Sequence, residues 1–262
     1  ALIRSLASTQ AQLTQYQSNV DMALDYHKSV SQGLTQAVEL MHRINEIGVQ
    51  SGDGTIDEVT RKALAEEVDE LLHTMVSVAN TSDGGRYTFA GLRTDTVPYE
   101  TELDADGRIV AVNYVGSEES RQIKIGESQY ITTNYPGSTE TSEGGVFQTA
   151  TQDVFDSIIQ LRDALTSGGG GTDHTAMLER LQGDLDRFLN SASLNGARQD
   201  QVASQKTFLL SMQQNTRSAK NTLESADLAK EAIKLAQAET AYQAALNSTS
   251  TLMKQVSLLD YI

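Results

Sequence analysis

The chain has 262 residues, with 20 basic against 35 acidic side chains, a formal charge of -15, and no cysteine. That balance opposes binding to nucleic-acid backbones or anionic membrane surfaces. The missing cysteine excludes disulfides and thiolate sites, and no apolar run is long enough to span a bilayer.

The first segment is a heptad seam. Leu6, Thr9, Leu13, Tyr16, Val20, Ala23, His27, Val30, Leu34, Ala37, Met41, Ile44 and Gly48 follow one another by alternating steps of three and four. A helix this long with one narrow apolar stripe needs partner helices. Because the chain starts inside this pattern, its natural N-terminus is expected to lie upstream. Ser51-Gly52-Asp53-Gly54 ends the helix, and Thr55 reads as the N-cap of the next, with Glu58 as its capping-box partner. That second helix, over 56–79, is expected to bury Val59, Ala63, Leu64, Val68, Leu71, Leu72, Met75 and Val78 in an antiparallel hairpin with the first.

From Asn80 to Gly85 the period changes to alternation. Tyr87 and Phe89 face one way and Thr88 the other, and strands are predicted over 97–103, 108–115, 122–125 and 129–133. Asp104-Ala105-Asp106-Gly107 is turn chemistry between two of them. Helical periodicity returns at Val146, with Val154, Phe155, Ile158, Leu161 and Leu165 on one face, and Ser167 to Gly171 reads as a flexible loop. Met177, Leu178, Leu181, Leu185, Phe188 and Leu189 open another helix, and Asn195-Gly196 is expected to break or kink it. Val202, Gln205, Leu209, Met212, Thr216, Ala219 and Leu223 continue a seam. Leu228, Ala232, Leu235, Glu239, Tyr242, Leu246, Thr249, Met253 and Val256 resume it in a shifted register, a stutter that implies a change of supercoil or partner.

Candidate chemistry is sparse. The four histidines, His27, His42, His73 and His174, have no helical metal-pair spacing. His27 occupies a seam position and is expected to be a partly buried interhelical hydrogen-bonder. Asp104 and Asp106 lack the further ligands of a calcium loop and read as a hairpin turn. Gly168 to Gly171 is not a phosphate cradle, because it lacks the Gly-Lys-Ser/Thr ending. The acid pairs Glu66/Glu67 and Asp184/Asp186 are expected to be solvated charges on polar helix faces. No catalytic, cofactor or metal site is expected. The last segment carries Leu252, Met253, Val256, Leu258, Leu259, Tyr261 and Ile262 at the chain end, where residues usually fray and are polar. An assembly interface is therefore expected at Leu228, Leu235, Tyr242, Leu246, Met253, Val256, Leu258, Leu259, Tyr261 and Ile262.

Three stretches resemble one family. They are Gln15 to Asp21 with Gly48 to Thr55; Asn80-Thr81 through Gly84-Gly85-Arg86-Tyr87-Thr88-Phe89-Ala90-Gly91 with Thr94 to Thr96 and Pro98-Tyr99; and Ala226 to Ala229 with Ala238 to Leu246 and the ending Ser257-Leu258-Leu259-Asp260-Tyr261-Ile262. In that order they resemble the flagellar hook-associated protein family, specifically its third, hook-filament junction group. The resemblance implies a structural, non-enzymatic protein of the extracellular flagellum, exported by the flagellar type III apparatus. The implied partners are the first hook-associated protein, flagellin, copies of itself in a ring and an export chaperone. It also implies an N-terminal arm, paired with the C-terminal helix, that is missing from this sequence. Flagellin itself, or a secreted coiled-coil scaffold, are the competing readings.

The expected fold is mainly α with a small β insertion: a helical bundle or coiled-coil rod domain plus a small antiparallel β domain. The expected division is 1–85 and 146–227 as the helices of the rod, 86–145 as the inserted β domain, and 228–262 as a C-terminal coiled-coil arm.

Overall fold

A computed structural model of the chain describes residues 2–52, 56–139, 145–168 and 174–259, the last eight as helix backbone only. Its helices are α1 (Leu2–Ser51), α2 (Glu58–Ala79), α3 (Val154–Ser167) and α4 (His174–Leu259). Between α2 and α3 lie β1 (Ser82–Asp83), β2 (Arg86–Tyr87), β3 (Tyr99–Leu103), β4 (Ile109–Tyr114), β5 (Arg121–Lys124) and β6 (Tyr130–Thr133). The fold is mainly α with a small β insertion, as the sequence predicts. Two compact units divide the chain: residues 16–207, and residues 1–15 together with 208–262.

In the larger unit the α1 seam is buried from Tyr16 through Val20, Ala23, His27, Val30, Leu34, Ala37 and Met41 to Ile44. Helix α2 returns antiparallel along it. Arg43 Nε donates to Glu67 Oε1 at 2.6 Å near the turn, and the Ser29 and Thr88 hydroxyls meet at 3.0 Å at the far end. The N-cap of α2 is Asp57, whose carboxylate accepts from the Thr60 N–H at 2.7 Å, and the helix starts only at Glu58. The expected cap, Thr55, lies outside the described residues. Val59 and Ala63 are exposed rather than buried. The first turn of α2 carries the cap and a Lys62–Glu58 ion pair, and its apolar stripe begins at Leu64.

Among the described residues the β region forms three antiparallel hairpins, β1-β2, β3-β4 and β5-β6. Gly84 and Gly85, with φ of 56° and 79°, close the first, the backbone sign that a tight hairpin turn requires. Between β3 and β4, Asp104 Oδ1 accepts from the N–H groups of Asp106 and Arg108, both at 2.9 Å. This carboxylate is spent on closing the turn. Isolated two-stranded hairpins are marginal in water, and these bury Tyr99, Ile109, Val112, Ile123 and Ile131. The predicted alternation of Tyr87, Thr88 and Phe89 stops at the end of β2: residues 88 and 89 form a turn, where Phe89 is buried and Thr88 is buried too. Its hydroxyl meets Ser29 on α1, so both faces of that segment are covered.

The third helix does not begin at Val146. Residues 146–152 are not helical, since the Gln148 backbone forms bridges with Ser138 and Asp153, and α3 starts at Val154. Asp153 is its N-cap. Its Oδ1 accepts from Phe155 N–H at 2.9 Å and Asp156 N–H at 3.3 Å, and its Oδ2 accepts from Gln148 Nε2 at 2.7 Å. Replacing Asp153 with Ala should therefore cost about 1–2 kcal/mol for the cap alone, read as a lower urea midpoint at unchanged slope. Gly168, at φ 80°, closes the helix in the left-handed conformation that glycine adopts without strain. Gly169, Gly170 and Gly171 of the predicted loop lie outside the described residues.

Helix α4 passes through Asn195-Gly196 without the predicted break. The Asn195 side chain, which in a break would bond its own backbone, donates to the His27 carbonyl at 2.9 Å. An interior glycine costs a helix only about 1 kcal/mol. Arg162 of α3 donates through Nη1 to Asp69 Oδ1 and to the Ile109 carbonyl, both at 2.7 Å, and so ties α3 to α2 and β4. Phe147 lies at the centre of the core, with ring centroids of Phe89, Tyr99, Phe155 and Phe188 between 5.1 and 5.9 Å away.

Candidate assembly interface

In the smaller unit, Leu13, Leu209 and Thr216 are buried and Leu6 and Leu223 are half-buried. Beyond Leu223, every residue from 224 to 251 is exposed. The change of register read between Leu223 and Leu228 thus coincides with the end of burial. The helix still continues, for reasons local to its sequence. Residues 224–251 contain neither glycine nor proline and are rich in Ala, Leu, Lys, Glu and Gln, the strongest helix formers. Glu231 and Lys234 pair at 2.8 Å one turn apart. Thr240, Thr249 and Thr251 each return their hydroxyl to the carbonyl four residues back, so these side chains are satisfied within the helix.

The apolar side chains are not satisfied. Leu228, Leu235, Tyr242 and Leu246 are 72%, 63%, 67% and 52% exposed. At about 100° per residue they lie within one narrow stripe. Covering a side chain of this size is worth about 1.5–3 kcal/mol, so the stripe holds a large unused binding energy. Met253, Val256, Leu258 and Leu259 follow on the backbone of α4, but their side chains, with Tyr261 and Ile262, lie outside the described residues.

A second face was missed in the sequence. Ile233, 60% exposed, shares with Ala236, Gln237, Thr240, Ala241 and Ala244 a shallow surface on the side of the helix away from Leu228 and Leu246. It stands off the heptad seam, and alanines do not register as a stripe. The apparent signal is a lone isoleucine among small residues at helical spacing.

The other candidates resolve into structure. His27 is buried, with Nδ1 2.7 Å from Asn195 Oδ1, the interhelical bond its seam position predicts. Nε2 of His73 is 3.8 Å from Asp69 Oδ2. Glu67 pairs with Arg43 on the surface. Asp184 departs from the expected solvated charge. It is buried and accepts from Arg187 Nη2 at 2.8 Å, because its position on α4 falls on the core-facing side between Leu181 and Phe188. Burial pushes its carboxyl pKa up, and Arg187 offsets this only in part. Among the described residues no three His, Asp or Glu side chains gather where they could hold a metal ion, and no helix is long and apolar enough to cross a membrane.

Comparison with known proteins follows the same pattern. The family described as bacterial flagellin N-terminal helical region matches residues 1–94. The chain is 26% identical over 219 residues to flagellar hook-associated protein 3 of Escherichia coli, covering 83% of this chain and 60% of that protein. This chain is similar to flagellar hook-associated protein 3 over most of its length. The Salmonella typhimurium protein of that name is 27% identical over 134 residues, covering 51% of this chain and 40% of the relative. The chain thus spans less than two thirds of the length of these curated relatives. The fold is shared with the crystal structure of hook-associated protein-3 from Legionella pneumophila, at a TM-score of 0.72 and 16% identity over 85% of this chain and 99% of that one. It is also shared with Bacillus cereus FlgL, at 0.62 and 20% identity over 81% and 96%.

Proposed function

We propose that this chain is a structural, non-enzymatic component of the bacterial flagellum that joins the hook to the flagellin filament. The observation that carries the reading is the exposed apolar stripe of α4, Leu228, Leu235, Tyr242 and Leu246, on a helix that holds its form without packing. Contiguous apolar surface of this kind marks a protein interface. Two separate apolar faces on one helix suit a position between more than one neighbour. The interface includes Met253, Val256, Leu258, Leu259, Tyr261 and Ile262, which keep the sequence apolar to its last residue, with residues 228–262 acting as an arm and 86–145 as an inserted β domain.

The partners are the first hook-associated protein, flagellin and further copies of this chain in a ring, with delivery by the flagellar type III apparatus and an export chaperone. The relatives named hook-associated protein 3 support this location, and a formal charge of -15 supports protein partners over nucleic acid or anionic lipid. Immunogold labelling of isolated flagella tests the reading. Label should be confined to one narrow band between hook and filament. Label along the whole filament would instead make the chain a flagellin.

A further inference from the structure

A cleft of about 910 Å³ opens on the larger unit between α1, the segment from β6 to α3, and α4. Arg187, Ser191, Leu194 and Arg198 line it and follow one another by steps of four, three and four, so they form one stripe of α4 about 16 Å long. The other walls include Val30 of α1 and Pro136 beyond β6. Two features of this cleft suit a protein partner. Leu194 is 53% exposed in it. The Arg198 guanidinium is half-buried, lies 4.8 Å over the Tyr135 ring and donates through Nη1 to its hydroxyl, and among the described residues no carboxylate pairs with it. A cation that has lost part of its water without gaining an acid is costly. Arg187 differs, because Asp184 takes its charge.

The end of the β3-β4 hairpin has the matching character. Leu103 and Val110 are 57% and 45% exposed there, beside an exposed turn that carries Asp106 and Arg108. The Asp104 carboxylate is occupied by the turn, and Glu102 accepts from Asn113 Nδ2 at 2.6 Å, so Asp106 is the free acid of the tip. The far end of the ribbon lies beside the cleft, since the Tyr114 hydroxyl accepts from the N–H of Gly137, next to Pro136. The tip is about 20 Å further along the ribbon, fixed toward α3 and α2 by Arg162. It does not reach the cleft of its own chain. Each copy therefore offers a projecting tip and an open cleft at once.

We propose that the β3-β4 tip of one copy seats in the α4 cleft of the next, with Leu103 against Leu194 and Asp106 on Arg198, a contact that presupposes the ring of copies in the proposed function. A ring requires such a head-to-tail contact between two different patches of the same chain. The other charges also match in sign: Arg108 on the tip comes to a cleft that holds Asp186 and Glu118. Acid on arginine gives the pairing its direction, and the leucines give it buried apolar area.

The chain has no cysteine, so a covalent link reports this contact without background. Copies carrying both Asp106→Cys and Leu194→Cys should join into dimers, trimers and longer multimers when isolated flagella are oxidised. Copies carrying either change alone should give nothing beyond a dimer. Both side chains are exposed, so neither change opens the core. In complemented cells Asp106→Arg should lower filament number by about tenfold or more, and adding Arg198→Asp should restore it. Filaments of native number with Asp106→Arg, or no multimers from the doubly substituted chain, would overturn the contact. Immunogold label still confined to the junction would then leave the hook-to-filament reading standing, and its loss from the flagella of the native strain would overturn both.

Discussion

Leu246→Asp should leave the isolated chain folded and abolish filament assembly. Leu246 is 52% exposed, on a stretch of α4 in which every neighbour from residue 224 to 251 is also exposed, so a carboxylate there displaces no core atom of the free molecule. Its melting curve and helical content should match those of the native protein. At an interface the same change does two things. It removes the burial of a leucine, about 1.5–3 kcal/mol, and it leaves an unpaired charge whose desolvation costs several kcal/mol more. A loss of about 4 kcal/mol weakens association by about a thousandfold. Cells complemented with the variant should carry hooks and few or no filaments, whereas Leu246→Met should support normal motility. Normal filaments with Leu246→Asp would remove Leu246 from the interface.

Phe147→Ala should act in the opposite way, on folding rather than assembly. Phe147 is completely buried, and its ring meets Phe89, Tyr99, Phe155 and Phe188, which come from the segment after β2, from β3, from α3 and from α4. Those partners are fixed to separate elements and cannot all move in to fill the space. Truncation should cost about 3–5 kcal/mol, a large share of a typical domain stability of about 5–15 kcal/mol. Urea denaturation should show a lower midpoint at unchanged slope, and assembly should fail only at temperatures where the variant melts. A cost below about 1 kcal/mol would mean that the hairpins and helices are joined elsewhere.

The helices were legible because apolar residues recur along them at steps of three and four, with one change of register in α4 between Leu223 and Leu228. From Tyr16 to Ile44 every seam position read from the sequence is buried. The hairpins were legible from alternation and from Asp104 to Gly107. What the sequence concealed was decided by tertiary partners. Val146 and Phe147 continue a helical spacing, yet the backbone of Gln148 is taken by bridges and Asp153 starts the helix later. Asn195-Gly196 has the composition of a break, but the Asn195 amide is engaged by His27 from a segment 168 residues away. Asp184 looks like a surface acid until Arg187 is seen to cover it. Of the candidate interface, Leu228, Leu235, Tyr242 and Leu246 stood out because large apolar residues recur at heptad spacing. Ile233 escaped because its companions are alanines, whose contribution depends on how closely another helix approaches.

Deleting the gene for this chain in its own bacterium and viewing the cells by electron microscopy tests the junction role most directly. The role predicts basal bodies with complete hooks and no filaments, restored by the native chain and not by Leu246→Asp. Filaments of ordinary number and length on the hooks of the deletion strain would contradict it.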